Sequence, residues 1–598
     1  MKVNEKLNTL RRYMEQYNMA AYIVPSDDFH GSEYVGAYFK AREYMSGFTG
    51  SAGTLVILAD KAALWTDGRY FLQADEQLAD SGIELMRAGQ PGVPKIAEYL
   101  LNHLEQHSVI GFDGRTVSNQ FVKELAEKME DKQITFSSEL DLVGMVWEDR
   151  PAISKEPVWE LLLQYAGQSR EEKIKKVRDV MKEKKADVLV LTALDEIAWL
   201  LNLRGNDVRY TPVFLSYMII TMEKAVLCVH EEILSQNIRE ALDRAAITIV
   251  PYDSADEQLT SILAGQTVWC DENRMNFHLT NCIPETVHKL NDASPVEIMK
   301  AKKTPDEMDN IRIAHIKDGV AVTRFIYWLK EHVGKENITE LGAAKKLEEF
   351  RKQMDGFLDQ SFEPIIAYGA HAAIVHYAAT KESDMQMKPK SFCLADTGGH
   401  YWEGTTDVTR TIALGELTDE EKKLYTLVLR GNLNLGAATF LHGVCGQNLD
   451  YLAREPLWEN HMDFNHGTGH GVGYLLNVHE GPQRIHWRIT ENGRYTPLEE
   501  GMVVSDEPGI YLNEKFGIRH ENLVLCRKGE KNEYGQFMYF ETLTMVPFDR
   551  DAIVPALMRE DEILRLNAYH RKVYDALSPY MEGEELAWLA KVTSEIQK

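Results

Sequence analysis

The chain has 598 residues, with 92 acidic against 66 basic side chains and a net charge of −26; at roughly 150 residues per domain it exceeds a single small module and calls for three or four domains. The excess of carboxylate repels nucleic acid and anionic lipid, which argues against both as partners. With 44% hydrophobic and 26% charged residues, the composition is that of a folded globular protein and not of a disordered or fibrous one.

Six cysteines, Cys228, Cys270, Cys282, Cys393, Cys445 and Cys526, lie far apart with no CxxC pair, so neither a disulfide framework nor a thiolate zinc site is expected. The N-terminal MKVNEKLNTLRRYMEQ lacks the apolar run of a signal peptide, and nowhere do about 18 uncharged apolar residues follow one another. A cytoplasmic protein with no membrane partner is expected.

Residues 5–24 read as an amphipathic helix running into the strand AAYIV, and residues 171–192 repeat that plan. Each is followed by a short helical stretch, EYVGAYF and then EIAWLLNL, and by an apolar strand, SAGTLVILAD and then TPVFLSYMIIT. Such alternation predicts a small α/β domain built twice. Polar, proline-containing segments at 148–157 and 291–295 place boundaries so that the domains are 1–150, 151–293 and 294–598.

The third region opens on a capping box, Thr304 and Glu307 with Pro305 at the first helical position, which starts a long helix. A second box at Thr418 and Glu421 starts another. Around them lie β-rich stretches, SFCLADTGG, DVTRTIALG, GMVVSDEP and FGIRHENLVLC, and these carry the chemistry. Asp396 ends one strand and Asp407, 11 residues later, starts the next, so an antiparallel return sets two carboxylates side by side. Glu507 and Glu521 form a similar pair 14 residues apart. Adjacent carboxylates repel, and either a cation offsets them or one stays protonated.

Between the pairs, HGTGHGVG places His466 and His470 in a glycine-rich loop where the backbone can approach a ligand or metal closely. Their spacing of four is not HExxH, for the glutamate is missing and glycines disfavour a regular helix. Four carboxylates and one neutral imidazole carry four negative charges, which two divalent cations cancel. The oxygen-rich donor set favours Mn²⁺ over thiolate-seeking ions. Any one of these acids alone is more often a solvated strand-end residue; the ordered set is what points to a two-metal hydrolytic centre.

The stretches DTGGHYWEGTTDVTRT, HGTGHGVGYLLNVHEGP, SDEPGIY and FGIRHEN resemble the successive signatures of the aminopeptidase P family of pita-bread metallopeptidases. The layout resembles its three-domain members too, which implies two creatinase-like α/β domains followed by an α+β pita-bread catalytic domain. The resemblance implies that Asp396, Asp407, His470, Glu507 and Glu521 are metal ligands, with Asp407 and Glu521 bridging two ions, Mn²⁺ first and Zn²⁺ or Co²⁺ as substitutes. It also implies that His376, His466 and His479 line the substrate site without ligating. Arg519 shares a strand face with Glu521 and is expected either to orient that carboxylate, to meet the substrate backbone or to form a structural ion pair. Thr409 stands in the same relation to Asp407. His520 departs from the family pattern, where an apolar residue is common; alternation turns its side chain away from the ligands.

The activity implied is removal of the residue preceding a proline at the second position of a peptide, a metal-activated water attacking the first peptide bond and Glu507 shuttling its proton. A prolidase restricted to X-Pro dipeptides is the nearest alternative. Creatinase, which is metal-independent, and methionine aminopeptidases, which lack the two preceding domains, fit less well. A non-catalytic pita-bread module binding a basic partner is a further alternative, disfavoured because such a module needs neither five ligands nor three histidines. Residues 551–598, helical and rich in Leu, Tyr and Trp, resemble an extension that contributes dimer contacts, which implies a homodimer; packing onto the catalytic domain is the simpler role.

Overall fold

Leu7, Leu10 and Met14 bury one face of the helix Val3–Gln16, and Ile174, Val177 and Met181 do the same for Arg170–Lys184, the three-and-four spacing that an amphipathic helix requires. Each helix leads into a strand that is apolar on both faces, Ala21–Pro25 and Val188–Leu191. The computed structural model describes residues 1–488 and 495–598. Its residues fall into two units, 1–162 with 168–297, and 163–167 with 298–598.

The first unit holds two six-stranded sheets. One runs Glu84–Arg87, Ala62–Thr66, Thr54–Leu58, Ala21–Pro25, Val109–Phe112, Thr135–Ser137; the other runs Ile247–Pro251, Ala225–Val229, Ser216–Thr221, Val188–Leu191, Thr267–Cys270, His288–Asn291. From edge to edge both read parallel, antiparallel, antiparallel, parallel, parallel. The α/β plan expected from the sequence is thus laid down twice in the same order. One detail differs from expectation: in EYVGAYF only Ala37–Phe39 is helical, because Gly36 is extended, whereas the counterpart forms a full helix, Leu194–Leu201. The two halves are joined by buried polar contacts. Asn276 Nδ2 donates to the Phe29 carbonyl at 2.8 Å, and His30 Nδ1 to the Thr192 carbonyl at 3.1 Å.

In the second unit both capping boxes form. Thr304 caps Pro305–His332, and Thr418 caps Asp419–Gly436. The second of these helices is buried from Leu424 to Leu435 against a core that includes Phe392, Ile518 and Phe548. Helices and strands are segregated, as in an α+β fold. Two sheets matter for the site. Phe392–Thr397 lies between Ile365–Tyr368 and Val408–Ala413 in one. The other has the order Thr439–Leu441, Gly535–Thr542, Asn522–Asn532, Val503–Asp506, Gly469–Gly471, Glu480–Ile485. The C-terminal residues form the helices Glu560–Leu577 and Gly583–Val592, whose Leu566, Val573, Leu577 and Leu589 complete the same core. Among the described residues no helix is long and apolar enough to cross a membrane.

Candidate metal centre

Asp396 pairs with Thr409 across the antiparallel ladder, which places Asp407 two residues further along the partner strand and on the same face. The return between them is not a plain hairpin. Gly399–Tyr401 and Gly404–Thr405 leave to join Phe357–Gln360 in a separate three-stranded sheet. Glu507 and Glu521 sit where another ladder runs out: Asp506 pairs with Asn522, and the next step would set the two glutamates opposite each other. The hairpin of Gly509–Leu512 and Phe516–Arg519 buds off between them.

His470 comes from the short strand Gly469–Gly471. Its Nδ1 lies 2.9 Å from the Gly471 carbonyl, which can only accept, so Nδ1 carries a proton and Nε2 is the ring nitrogen left for a metal ion. Nε2 stands 3.5 Å from both Asp407 Oδ2 and Glu507 Oε1. The flanking glycines are required by close approach: a Cβ on Gly469 would lie 1.9 Å from the Ser505 carbonyl oxygen, and one on Gly471 2.2 Å from that of Glu480.

One ligand atom each from Asp407, His470 and Glu521 lies within 4.8 Å of the others. Asp396 and Glu507 are close enough to act on their charges. Burial, then Asp396 and Glu507, raise the Asp407 carboxyl well above its ordinary range. Burial, then Asp407, Glu507 and Asp396, do the same for Glu521. Burial also raises Glu507, opposed by His470 and Arg519. Asp396 Oδ1 and Asp407 Oδ1 are buried acceptors with no hydrogen-bond partner among the described residues. Orphaned carboxylate oxygens, mutually repelling acids and an imidazole whose Nε2 faces them together fit a site for divalent cations.

Arg519 meets Glu521 only through Thr409, whose Oγ1 lies 3.4 Å from the Arg519 Nε. Its Nη2 donates to Asp396 Oδ2 at 2.5 Å and to the Val375 carbonyl at 3.3 Å, while Nη1 donates to Tyr511 Oη at 2.7 Å. The ion pair is the geometry found, and its partner is one of the expected ligands. Burial opposes the Arg519 charge, but Tyr511, Asp396 and Glu507 more than restore it and raise its pKa. Glu521 is held instead by Thr409, whose Oγ1 donates to Oε2 at 2.8 Å.

His466 donates through Nδ1 to the Gly467 carbonyl at 2.7 Å and accepts at Nε2 from Tyr511 Oη at 2.8 Å, so Arg519, Tyr511 and His466 form one chain. His479 lies edge-on to His470 with ring centroids 4.3 Å apart. His376 is half-buried on the turn next to Val375, whose carbonyl meets Arg519. His520 faces the opposite way, its ring set edge-on against Tyr425 at 4.2 Å. Burial and the nearby Arg410 lower it to about 3.

Three residues of the site escaped the sequence reading. Ser505 accepts from the His470 amide at 2.9 Å and donates to Glu507 Oε1 at 3.1 Å. Tyr511 links Arg519 to His466. Arg410, fully buried, donates to the carbonyl of Glu521 at 2.6 Å and to Asn522 Oδ1 at 2.7 Å, fixing the strand end from behind. Strand alternation could have flagged Ser505, two residues before Glu507; nothing local marks the other two.

The profile of metallopeptidase family M24 matches residues 309–528, and that of its C-terminal region residues 536–596. Creatinase/prolidase N-terminal domain profiles match residues 6–146 and 149–307. A probable Xaa-Pro aminopeptidase P of Laccaria bicolor is 40% identical over 604 residues, spanning 99% of this chain and 93% of its own. Aminopeptidase P2 of Arabidopsis thaliana is 38% identical over 100% of this chain and 89% of its own. The crystal structure of the X-prolyl aminopeptidase from Caenorhabditis elegans, described as a cytosolic enzyme with a di-nuclear active site, superposes over 100% of both chains at a TM-score of 0.95 and 34% identity. On full-length relatives and on the profile over the region that holds the carboxylates and histidines, the chain belongs to metallopeptidase family M24, in its aminopeptidase P group.

Proposed function

We propose that the protein is an Xaa-Pro aminopeptidase, hydrolysing the first peptide bond of peptides with proline at the second position. The observation that carries this reading is the convergence of Asp407, His470 and Glu521 within 4.8 Å of one another, in a chain that follows aminopeptidase P relatives nearly end to end. Asp396, Asp407, His470, Glu507 and Glu521 would hold two divalent cations, Asp407 and Glu521 shared between them, with Mn²⁺ first and Zn²⁺ or Co²⁺ as substitutes. When bound, such cations polarise a carbonyl and bring the pKa of water toward neutrality.

The remaining work falls to side chains. Glu507 takes the proton of the attacking water and delivers it to the leaving proline nitrogen, which departs as a secondary amine. Ser505 steadies that carboxylate by donating to its Oε1 at 3.1 Å. Arg519 holds the Asp396 carboxylate in place through its Nη2. His376, His466 and His479 line the substrate side, His466 held by the Tyr511 hydroxyl. An X-Pro bond is a tertiary amide with no N–H, so an enzyme that grips that donor handles it poorly and a dedicated site is needed.

The same reading divides the chain into creatinase-like domains at 1–150 and 151–293 and a catalytic domain at 294–598. It also makes the protein a cytoplasmic homodimer. The C-terminal helical region supports a dimer contact, because Leu564 is 69% and Tyr580 56% exposed there; light scattering that returns a monomer mass would refute it.

The decisive experiment compares metal-reconstituted wild type with Asp407→Asn on X-Pro-Y peptides and X-Pro dipeptides. Cleavage of the longer peptides is expected, with a loss of roughly 10² to 10³-fold in the variant. Cleavage of dipeptides alone would reassign the protein as a prolidase. Full activity in Asp407→Asn would remove this centre from the reaction.

A further inference from the structure

A second set of metal-binding side chains comes together in the first unit, among residues that the peptidase reading does not use. Asp256 lies on the helix Ala255–Thr260, and His278 and Cys282 lie on Phe277–Cys282, where a spacing of four puts both on one helix face. One ligand atom from each of the three lies within 4.8 Å of the others, and His278 Nε2 is 2.8 Å from Asp256 Oδ2. The side chains of His278 and Asp256 are 30% and 46% exposed, so an ion can enter from solvent.

The helix that carries the imidazole and the thiol is firmly placed. Asn276 caps it by accepting from the Leu279 amide at 2.8 Å. The Phe277 and His278 amides donate to the carbonyls of Val117 and Gly114 at 2.8 and 2.9 Å. Those carbonyls belong to the half of the unit built on the first sheet, so the trio stands at the junction of the two halves. Glu139, also from that half, is close enough to act on Cys282: burial, then Asp256, then Glu139, push the thiol up to about 11.

Imidazole nitrogen, thiolate sulfur and carboxylate oxygen are the ligand types of zinc, and a set containing nitrogen and sulfur does not suit Mg²⁺ or Ca²⁺. A bound cation inverts the local electrostatics, since the two carboxylates that oppose the thiolate then favour the ion, and coordination deprotonates a thiol outright. We propose that Asp256, His278 and Cys282 form a zinc-type metal site separate from the catalytic centre, with a fourth position left to solvent, clamping Ala255–Thr260 to Phe277–Cys282. The sequence expectation of no thiolate zinc site rested on the absence of a CxxC pair. It does not cover a mixed site whose members the fold brings together from 22 residues apart.

The test uses the full chain, stripped with a chelator and titrated with Co²⁺. A thiolate-to-cobalt charge-transfer band is expected in the near ultraviolet, and it reports this site alone because no ligand proposed for the catalytic centre carries sulfur. Cys282→Ser should abolish the band and take up one Zn²⁺ fewer per chain by elemental analysis, with Mn²⁺-supported peptidase activity unchanged. His278→Ala should weaken Co²⁺ binding at the band by at least roughly tenfold. No thiolate band in the wild type, or an undiminished band in both variants, would overturn the proposal and leave only an ion pair between His278 and Asp256.

Discussion

Asp407 and Glu521 are acids whose folded pKa lies above the value they have when solvated. In the metal-free chain the folded state therefore holds protons that the unfolded state has released. The stability linked to them is complete below the unfolded carboxylate range near pH 4 and is lost as pH rises through the folded values. Thermal melts in chelator should show a midpoint that falls with rising pH, less steeply in Asp407→Asn, and divalent cations should flatten the wild-type slope by replacing those protons. A midpoint in chelator as insensitive to pH as that of Asp407→Asn would contradict this account. Arg519 gives a second residue-scale prediction. Its fork meets Asp396, Tyr511 and the Val375 carbonyl at once, which a lysine cannot reproduce. Arg519→Lys should lower kcat and metal affinity by roughly 10 to 100-fold while leaving the circular dichroism unchanged.

At the scale of elements, the glycine-rich strand and the strand that follows it are each pinned by a close buried contact. Gly469→Ala drives a methyl group into the Ser505 carbonyl, and the cost expected is about 1–3 kcal/mol or more, with loss of the His470 position. Beyond His479, Glu480 is buried against Lys303 and, at 2.9 Å, Lys300. Glu480→Ala removes the carboxylate that two buried ammonium groups share and should cost about 3–5 kcal/mol in denaturant unfolding. The elements also show what the sequence made legible. The capping boxes at Thr304 and Thr418 were readable because a cap is a contact three residues long. The carboxylates were readable because each stands at a strand end beside a turn signal. The inward and outward faces around Glu521 followed from alternation, which placed His520 correctly away from the site. Arg519 was readable as a neighbour of Glu521 but not in its direct partner, for it meets Asp396 itself and Glu521 through Thr409. The trio Asp256, His278 and Cys282 was invisible because Asp256 comes from another helix, and the spacing of four between His278 and Cys282 marks no site without it.

Across the molecule, the first unit is two copies of one sheet plan that share buried polar contacts. Lys123 pairs with Glu272, whose carboxylate is buried, Asn276 reaches Phe29, and His30 reaches Thr192. Each contact has one partner in either half, so separating the halves leaves buried polar groups unpaired. A fragment of residues 1–297 should unfold in one cooperative transition, and a fragment of residues 1–150 should be markedly less stable by calorimetry; a 1–150 fragment as stable as the longer one would show that the halves are independent. The distribution of thiols over the whole chain has a practical consequence. Five of the six cysteines are buried and only Cys282 is partly open, so a maleimide fluorophore applied at alkaline pH, where more of this thiol is ionised, finds a single address. Fluorescence from that address gives a view of the N-terminal region without any engineered residue, and an ion seated on the sulfur would shield it from the dye.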